Sequence, residues 1–85
     1  MVEVRDLTMI SDDRPSQWEG KVGDRGSIYI RYRWGELGVY LSDSSYDASR
    51  DGALICEKKI GGKYDGRMGT AEMVAALVDV CRFLS

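Results

Sequence analysis

The side chains with the most binding chemistry are two arginines and two tyrosines that alternate with apolar residues within the stretch 27–42. Tyr29, Arg31 and Arg33 occupy every second position, and Tyr40 follows after the next glycines. In a strand, residues two apart point to the same face. Guanidinium groups bind carboxylates and phosphates, and tyrosine rings offer broad contact surfaces. This set therefore predicts a binding surface on one face of a sheet.

A β-hairpin is the element that must position these side chains. Apolar and polar residues alternate on both sides of Gly35-Glu36. A Gly-X pair suits a two-residue type II′ turn, because the first position needs a positive φ. The turn predicts six cross-strand pairs: Trp34 with Leu37, Tyr32 with Val39, Ile30 with Leu41, Arg33 with Gly38, Arg31 with Tyr40, and Tyr29 with Ser42. The apolar pairs share one face and the polar pairs share the other.

Shorter alternating stretches predict further strands around this hairpin. Val2 and Val4 alternate with charged residues and indicate a short edge strand. The patterns at 17–22 and 53–60 indicate two more. Three or more strands make a stable sheet once another element covers their apolar face.

The end of the chain supplies the predicted cover. Thr70 offers an N-cap hydroxyl and Glu72 a first-turn carboxylate to a helix predicted over 71–84. Its apolar residues form one stripe at helical spacing: Met73, Val74, Leu77, Val80, Cys81 and Leu84. We predict a single α+β domain over residues 1–85, a small antiparallel β-meander of three to five strands packed against one C-terminal helix. Trp34 is predicted to be buried against that helix.

Catalysis is hard to build from these residues. The chain has no histidine to act as a base near neutral pH, and its serines cluster in the polar stretch 43–52. Cys56 and Cys81 are too few for a zinc site and are interpreted as reduced thiols, with a disulfide between a strand and the last helix as the alternative. The stretch 47–58 follows part of a calcium-loop pattern, but Lys58 stands where that pattern requires glutamate. We therefore expect no enzyme, no metal and no cofactor.

Charge is distributed unevenly along the chain although the formal net charge is only −2. Residues 21–34 carry four basic side chains and one acidic side chain, between more acidic stretches. No stretch has the apolar length of a signal peptide or of a membrane span. Together with reduced thiols, this predicts a cytoplasmic protein without a membrane partner.

The hairpin face has three interpretations. Tyr and Arg are enriched at the energetic centres of protein interfaces, which favours a protein partner. The same side chains stack on bases and contact phosphates, so single-stranded nucleic acid is the alternative. The third is a solvated face on which Arg–Tyr pairs only decorate the sheet. The predicted partner-binding residues are Tyr29, Arg31, Arg33 and Tyr40, with Tyr46 and Arg50 of the adjoining polar loop at the rim. Self-association is left open.

Three stretches of this chain resemble a pattern found in short proteins of phages and mobile elements. They are Gln17-Trp18-Glu19-Gly20, Ile30-Arg31-Tyr32-Arg33-Trp34-Gly35 and Lys63-Tyr64-Asp65-Gly66. The layout also resembles phage anti-defence proteins such as anti-CRISPRs, which cover a surface on a host nuclease or surveillance complex. The resemblance carries over no catalytic residue. It implies a small non-enzymatic inhibitor or adaptor that docks on a host-defence protein.

Overall fold

The computed structural model describes residues 1–42 and 52–84, which form one mixed sheet of six strands and one short helix. The elements in chain order are β1 (Val2–Asp12), β2 (Ser16–Val22), β3 (Gly26–Arg33), β4 (Glu36–Ser42), β5 (Ala53–Lys59), α1 (Thr70–Ala76) and β6 (Cys81–Phe83). The combination of a sheet with a helix confirms the α+β class in outline, although the sheet dominates.

The strands lie in the order β5-β4-β3-β2-β1-β6. Strands β1 to β5 form the predicted antiparallel meander. The prediction of three to five strands is wrong by one, because β6 returns to pair in parallel with the start of β1. Val2 pairs with Cys81 and Val4 with Phe83. The opening strand therefore lies inside the sheet and is not the predicted edge strand.

The helix is half as long as predicted. It ends at Ala76, a turn follows, and Cys81–Phe83 continues as a strand. Phe83 is an aromatic residue of the type that favours strands, and β6 pairs with β1 from Cys81 to Phe83. The Val80 carbonyl just before it accepts a hydrogen bond from the Val2 N–H at 2.9 Å. Of the six stripe residues, Met73, Leu77 and Cys81 are buried in the core, and Val74 and Val80 are half-buried against it. The predicted stripe fails at Leu84, which is exposed.

The cap of α1 also differs from the prediction. Gly69 is the N-cap residue, and its N–H donates to Glu72 Oε1 over 3.4 Å. Thr70 Oγ1 instead accepts a hydrogen bond from Trp18 Nε1 at 2.9 Å. This bond ties the start of the helix to the middle of β2.

The core lies between the sheet and α1. Its buried members are Val4, Trp18, Ile28, Ile30, Tyr32, Leu37, Val39, Met68, Met73, Leu77 and Cys81. The largest buried side chain of this core is that of Trp18, which is completely buried. The prediction that Trp34 is buried against the helix is wrong, since 60% of its surface is exposed.

The turn of the central hairpin explains that error. Its two central residues are Trp34 and Gly35, with φ of 55° and 73°, as a type I′ turn requires. Moving the turn by one residue shifts each cross-strand partner by two positions, so the faces are preserved. The observed pairs are Arg33 with Glu36, Tyr32 with Leu37, Arg31 with Gly38, Ile30 with Val39, Tyr29 with Tyr40, Ile28 with Leu41, and Ser27 with Ser42.

Candidate binding surfaces

Tyr29 and Tyr40 lie side by side on the sheet face opposite the core. Their ring centroids are 5.8 Å apart and the rings are tilted by 41°. The Tyr29 hydroxyl donates to Gln17 Oε1 of the neighbouring strand, and only 7% of the residue is exposed. Tyr29 therefore supports this face from within and offers little surface of its own to a partner.

Arg31 and Tyr40 form a fixed pair on the same face. Arg31 Nη2 donates to the Tyr40 hydroxyl at 3.1 Å, and the guanidinium carbon lies 5.6 Å from the ring centroid. The Tyr40 ring covers Gly38, where an added Cβ would lie 3.2 Å from its Cε2. Both side chains are half-buried. The sheet thus holds a ring and a guanidinium group in one orientation.

Two exposed aliphatic residues lie on the edge strand β5, which pairs with β4. Leu54 is opposite Tyr40 in the register and is 50% exposed. Ile55, also exposed, is the additional residue of a bulge between Leu54 and Cys56. We call Arg31, Tyr40, Leu54 and Ile55 the outer patch. The two aliphatic residues were not predicted from the sequence, because the bulge that interrupts the alternation of β5 has no local signal.

Arg33 departs from the other predicted residues. It is exposed at the end of β3, and its guanidinium carbon lies 4.0 Å from the centroid of the Trp34 ring. The structure therefore places it with the hairpin turn. The predicted rim residues Tyr46 and Arg50 lie outside the described residues.

A second surface, which was not predicted from the sequence, surrounds the hairpin turn. Trp34 and Tyr64 line the same two hollows, the larger of about 560 Å³. Tyr64 is 87% exposed, and Lys63 Nζ lies 5.7 Å from its ring centroid. We call the aromatic and basic residues that line these hollows the tip surface: Arg14, Arg33, Trp34, Lys59, Lys63 and Tyr64.

The tip surface rests on a dense set of hydrogen bonds. The Gly35 N–H donates to the Asp65 carbonyl at 2.7 Å, while the N–H groups of Ile60 and Gly61 donate to the Gly35 carbonyl at 2.8 and 3.1 Å. The Tyr32 hydroxyl donates to Asp65 Oδ2 at 2.7 Å. These contacts fix the segment 60–66 against the hairpin turn.

Tyr32 should remain protonated far into the alkaline range. Burial, then the hydrogen bond to Asp65, then the charges of Asp65 and Glu72 raise its pKa from 10.0 to about 12. Because the folded state holds this proton more tightly than the unfolded chain, stability should fall as pH rises from 10.0 to about 12. Titration of tyrosinate absorbance should show a late component that Tyr32→Phe lacks. A Tyr32→Phe spectrum identical to the parent in this range would contradict the assignment.

The described residues also bear on the metal and thiol chemistry considered for this sequence. Across the described parts of the chain, no group of three or more Cys, Asp or Glu side chains is placed to hold a metal ion. Cys81 is buried, and burial, followed by the influence of Cys56 and Asp79, raises the pKa of its thiol and so disfavours a nucleophilic thiolate. Within residues 1–42 and 52–84, no helix is long and apolar enough to cross a membrane.

Comparison of the chain with protein-family models, curated proteins and solved structures finds no match.

Proposed function

We propose that this chain is a non-enzymatic binding domain that docks on another protein through the outer patch and acts as an inhibitor or adaptor. The observation that carries the proposal is the fixed Arg31–Tyr40 pair next to the exposed side chain of Leu54. Tyrosine and arginine are residue types enriched at the energetic centres of protein interfaces, and Leu54 adds apolar area beside them. Their fixed geometry lowers the entropy cost of binding.

The composition of the outer patch favours a protein over nucleic acid. Aliphatic side chains such as Leu54 and Ile55 gain from apolar contact but offer no stacking plane to a base. Tyr29 is too buried to serve as a stacking platform. Arg31 supplies the one guanidinium group of the patch, which gives little phosphate affinity.

The chemistry of the patch defines the partner. Arg31 would bind a carboxylate of the partner. Tyr40, Leu54 and Ile55 would pack against an apolar surface around that carboxylate. The resemblance to phage anti-defence proteins makes a cytoplasmic host-defence protein the first class of partner to test. An inhibitor of this kind needs no catalytic group, since covering the partner's surface is sufficient.

The test is an affinity series against a partner recovered from lysate of the native host. Arg31→Ala and Tyr40→Ala should each weaken the complex by more than about 1 kcal/mol, because both side chains are presented in fixed orientations. Asp12→Ala and Asp13→Ala, away from the patch, should leave affinity unchanged and serve as matched controls.

Thermal melts of each variant provide the folding control for that series. An unchanged affinity in a folded Arg31→Ala/Tyr40→Ala double variant would remove the outer patch as the docking site.

A further inference from the structure

Trp34 stands at a backbone position that its residue type disfavours. Its φ of 55° lies in the left-handed region, where a bulky side chain is a true outlier. Asparagine or glycine adopts this conformation readily, and Asn-Gly is the preferred pair for such a turn. Tryptophan at this position is therefore less favourable for the stability of the fold than asparagine or glycine would be.

The packing of the Trp34 ring offsets little of this cost. It is 60% exposed, and its close contact is with the guanidinium group of Arg33, 4.0 Å from the ring centroid. An exposed cation–π contact contributes about 0.5–1 kcal/mol. A strained and exposed aromatic residue is more typical of a binding site than of a structural position.

Tyr64 is a second exposed aromatic residue next to Trp34. It lines the same two hollows as Trp34, so the two exposed rings border one surface. The segment that carries Tyr64 is fixed to the turn that carries Trp34 through the bonds between Gly35 and Asp65. The backbone segments that carry the two exposed rings are therefore fixed relative to each other.

The charges around the rings are mainly positive. Four basic side chains line the hollows, namely Arg14, Arg33, Lys59 and Lys63. The carboxylates in the linings are Glu36 and Asp65, and Asp65 accepts a hydrogen bond from Tyr32. Arg14 also lies 3.7 Å from exposed Asp13, a pair that solvent screens. The tip surface is thus a basic region on a chain whose formal net charge is −2.

The linings also separate the tip surface from the outer patch. Among the residues that the structure describes, no aliphatic side chain lines either hollow. The apolar area of the tip surface is aromatic, whereas that of the outer patch includes Leu54 and Ile55. Aromatic planes among cations suit a ligand that alternates flat bases with phosphates.

We propose that the tip surface is a second binding site, which takes single-stranded nucleic acid. Bases stack on Trp34 and Tyr64, and the neighbouring phosphates contact Arg33, Lys59 and Lys63. Contacts of this kind read little sequence, because every base has a stacking face. The tip surface shares no residue with the outer patch, so failure of one proposal would leave the other untouched.

The probe is a labelled single-stranded oligonucleotide of about twelve nucleotides, as DNA and as RNA, followed by fluorescence anisotropy. Trp34→Asn removes the ring while suiting the turn, so this variant should fold. We expect it, and Tyr64→Ala, to weaken binding at least about tenfold. Val78→Ala, at an exposed position remote in sequence from the tip residues, should bind as the parent does.

The salt dependence tests the phosphate contacts. Between about 50 and about 200 mM salt, the slope of log affinity against log salt should fall in magnitude by about 0.7 in Lys63→Ala, the value for one lost contact with a single strand. Quenching of tryptophan emission by the oligonucleotide should disappear in Trp34→Asn, because Trp18 is buried.

Three outcomes would overturn the proposal. The first is no binding of either oligonucleotide at low salt. The second is binding that persists unchanged in folded Trp34→Asn and Tyr64→Ala. The third is that an acidic peptide such as oligoglutamate binds with the expected dependence on Trp34 while the oligonucleotides do not, which would make the tip a protein site.

Discussion

Trp18→Ala should destabilise the protein by about 3–5 kcal/mol, the usual cost of removing a buried aromatic side chain. Trp18 is completely buried in the core, and its Nε1–H donates to Thr70 Oγ1 at 2.9 Å. The substitution leaves a cavity and removes the link between β2 and α1. For a domain of this size, such a loss is a large fraction of the total stability.

Urea denaturation of matched variants measures this effect. Trp34→Ala should cost less than about 1 kcal/mol, because the ring of Trp34 is mostly exposed. Trp18→Phe should fall between the parent and Trp18→Ala, since it keeps a ring but loses the hydrogen bond. A larger loss in Trp34→Ala than in Trp18→Ala would mean that the two tryptophans have exchanged roles.

Gly35→Ala should destabilise the fold by about 2–5 kcal/mol, from left-handed strain together with overpacking. The φ of Gly35 is 73°. An added Cβ would overlap the carbonyl oxygens of Gly61 and Gly62, which are backbone atoms and cannot rotate away. The substitution therefore forces the segment 60–66 away from the hairpin turn.

Gly23→Ala is the matched control for this prediction. Gly23 also has a positive φ, 60°, but an added Cβ would meet nothing within 4 Å. It should therefore show the left-handed strain alone, about 1–2 kcal/mol. Equal midpoints for Gly35→Ala and Gly23→Ala in thermal melts would show that the hairpin turn and the segment 60–66 are not locked together.

Period-two alternation was the most reliable signal in this sequence. It assigned the faces of β3 and β4 correctly even though the turn was misplaced, because a one-residue shift of the turn preserves the face of each residue. The preference of glycine for the first turn position made Gly35-Glu36 the better pair on local chemistry. In the structure the turn is instead centred on Trp34 and Gly35, and Gly35 exchanges backbone hydrogen bonds with Gly61 and Asp65. These residues are distant in sequence, so local patterns do not reveal the contact.

The end of the chain shows a different limit. Helical spacing from Met73 to Cys81 correctly predicted three buried core residues, together with Val74 and Val80, which pack against them. It could not reveal that Cys81–Phe83 pairs with β1, since the partner strand lies at the other end of the sequence. A tertiary contact here outweighs local periodicity.

The candidate sites were partly predictable for related reasons. Arg31 and Tyr40 were identified from their common face, and they form a hydrogen-bonded pair in the structure. Trp34 and Tyr64 could not be associated, because only the folding of the segment 60–66 onto the hairpin brings them to the same hollows. Exposure was the property that the sequence revealed least well, as Tyr29 and Trp34 both show.

Photo-crosslinking in the native host tests the docking proposal most directly. A photoreactive amino acid is placed at position 54 of the outer patch or, as a control, at position 78, where Val78 is also exposed. We expect position 54 to capture one discrete host protein, and we expect Arg31→Ala in the same chain to abolish that product. Crosslinking to the same protein from position 78 as readily as from position 54, or a product that Arg31→Ala leaves unchanged, would contradict docking through the outer patch.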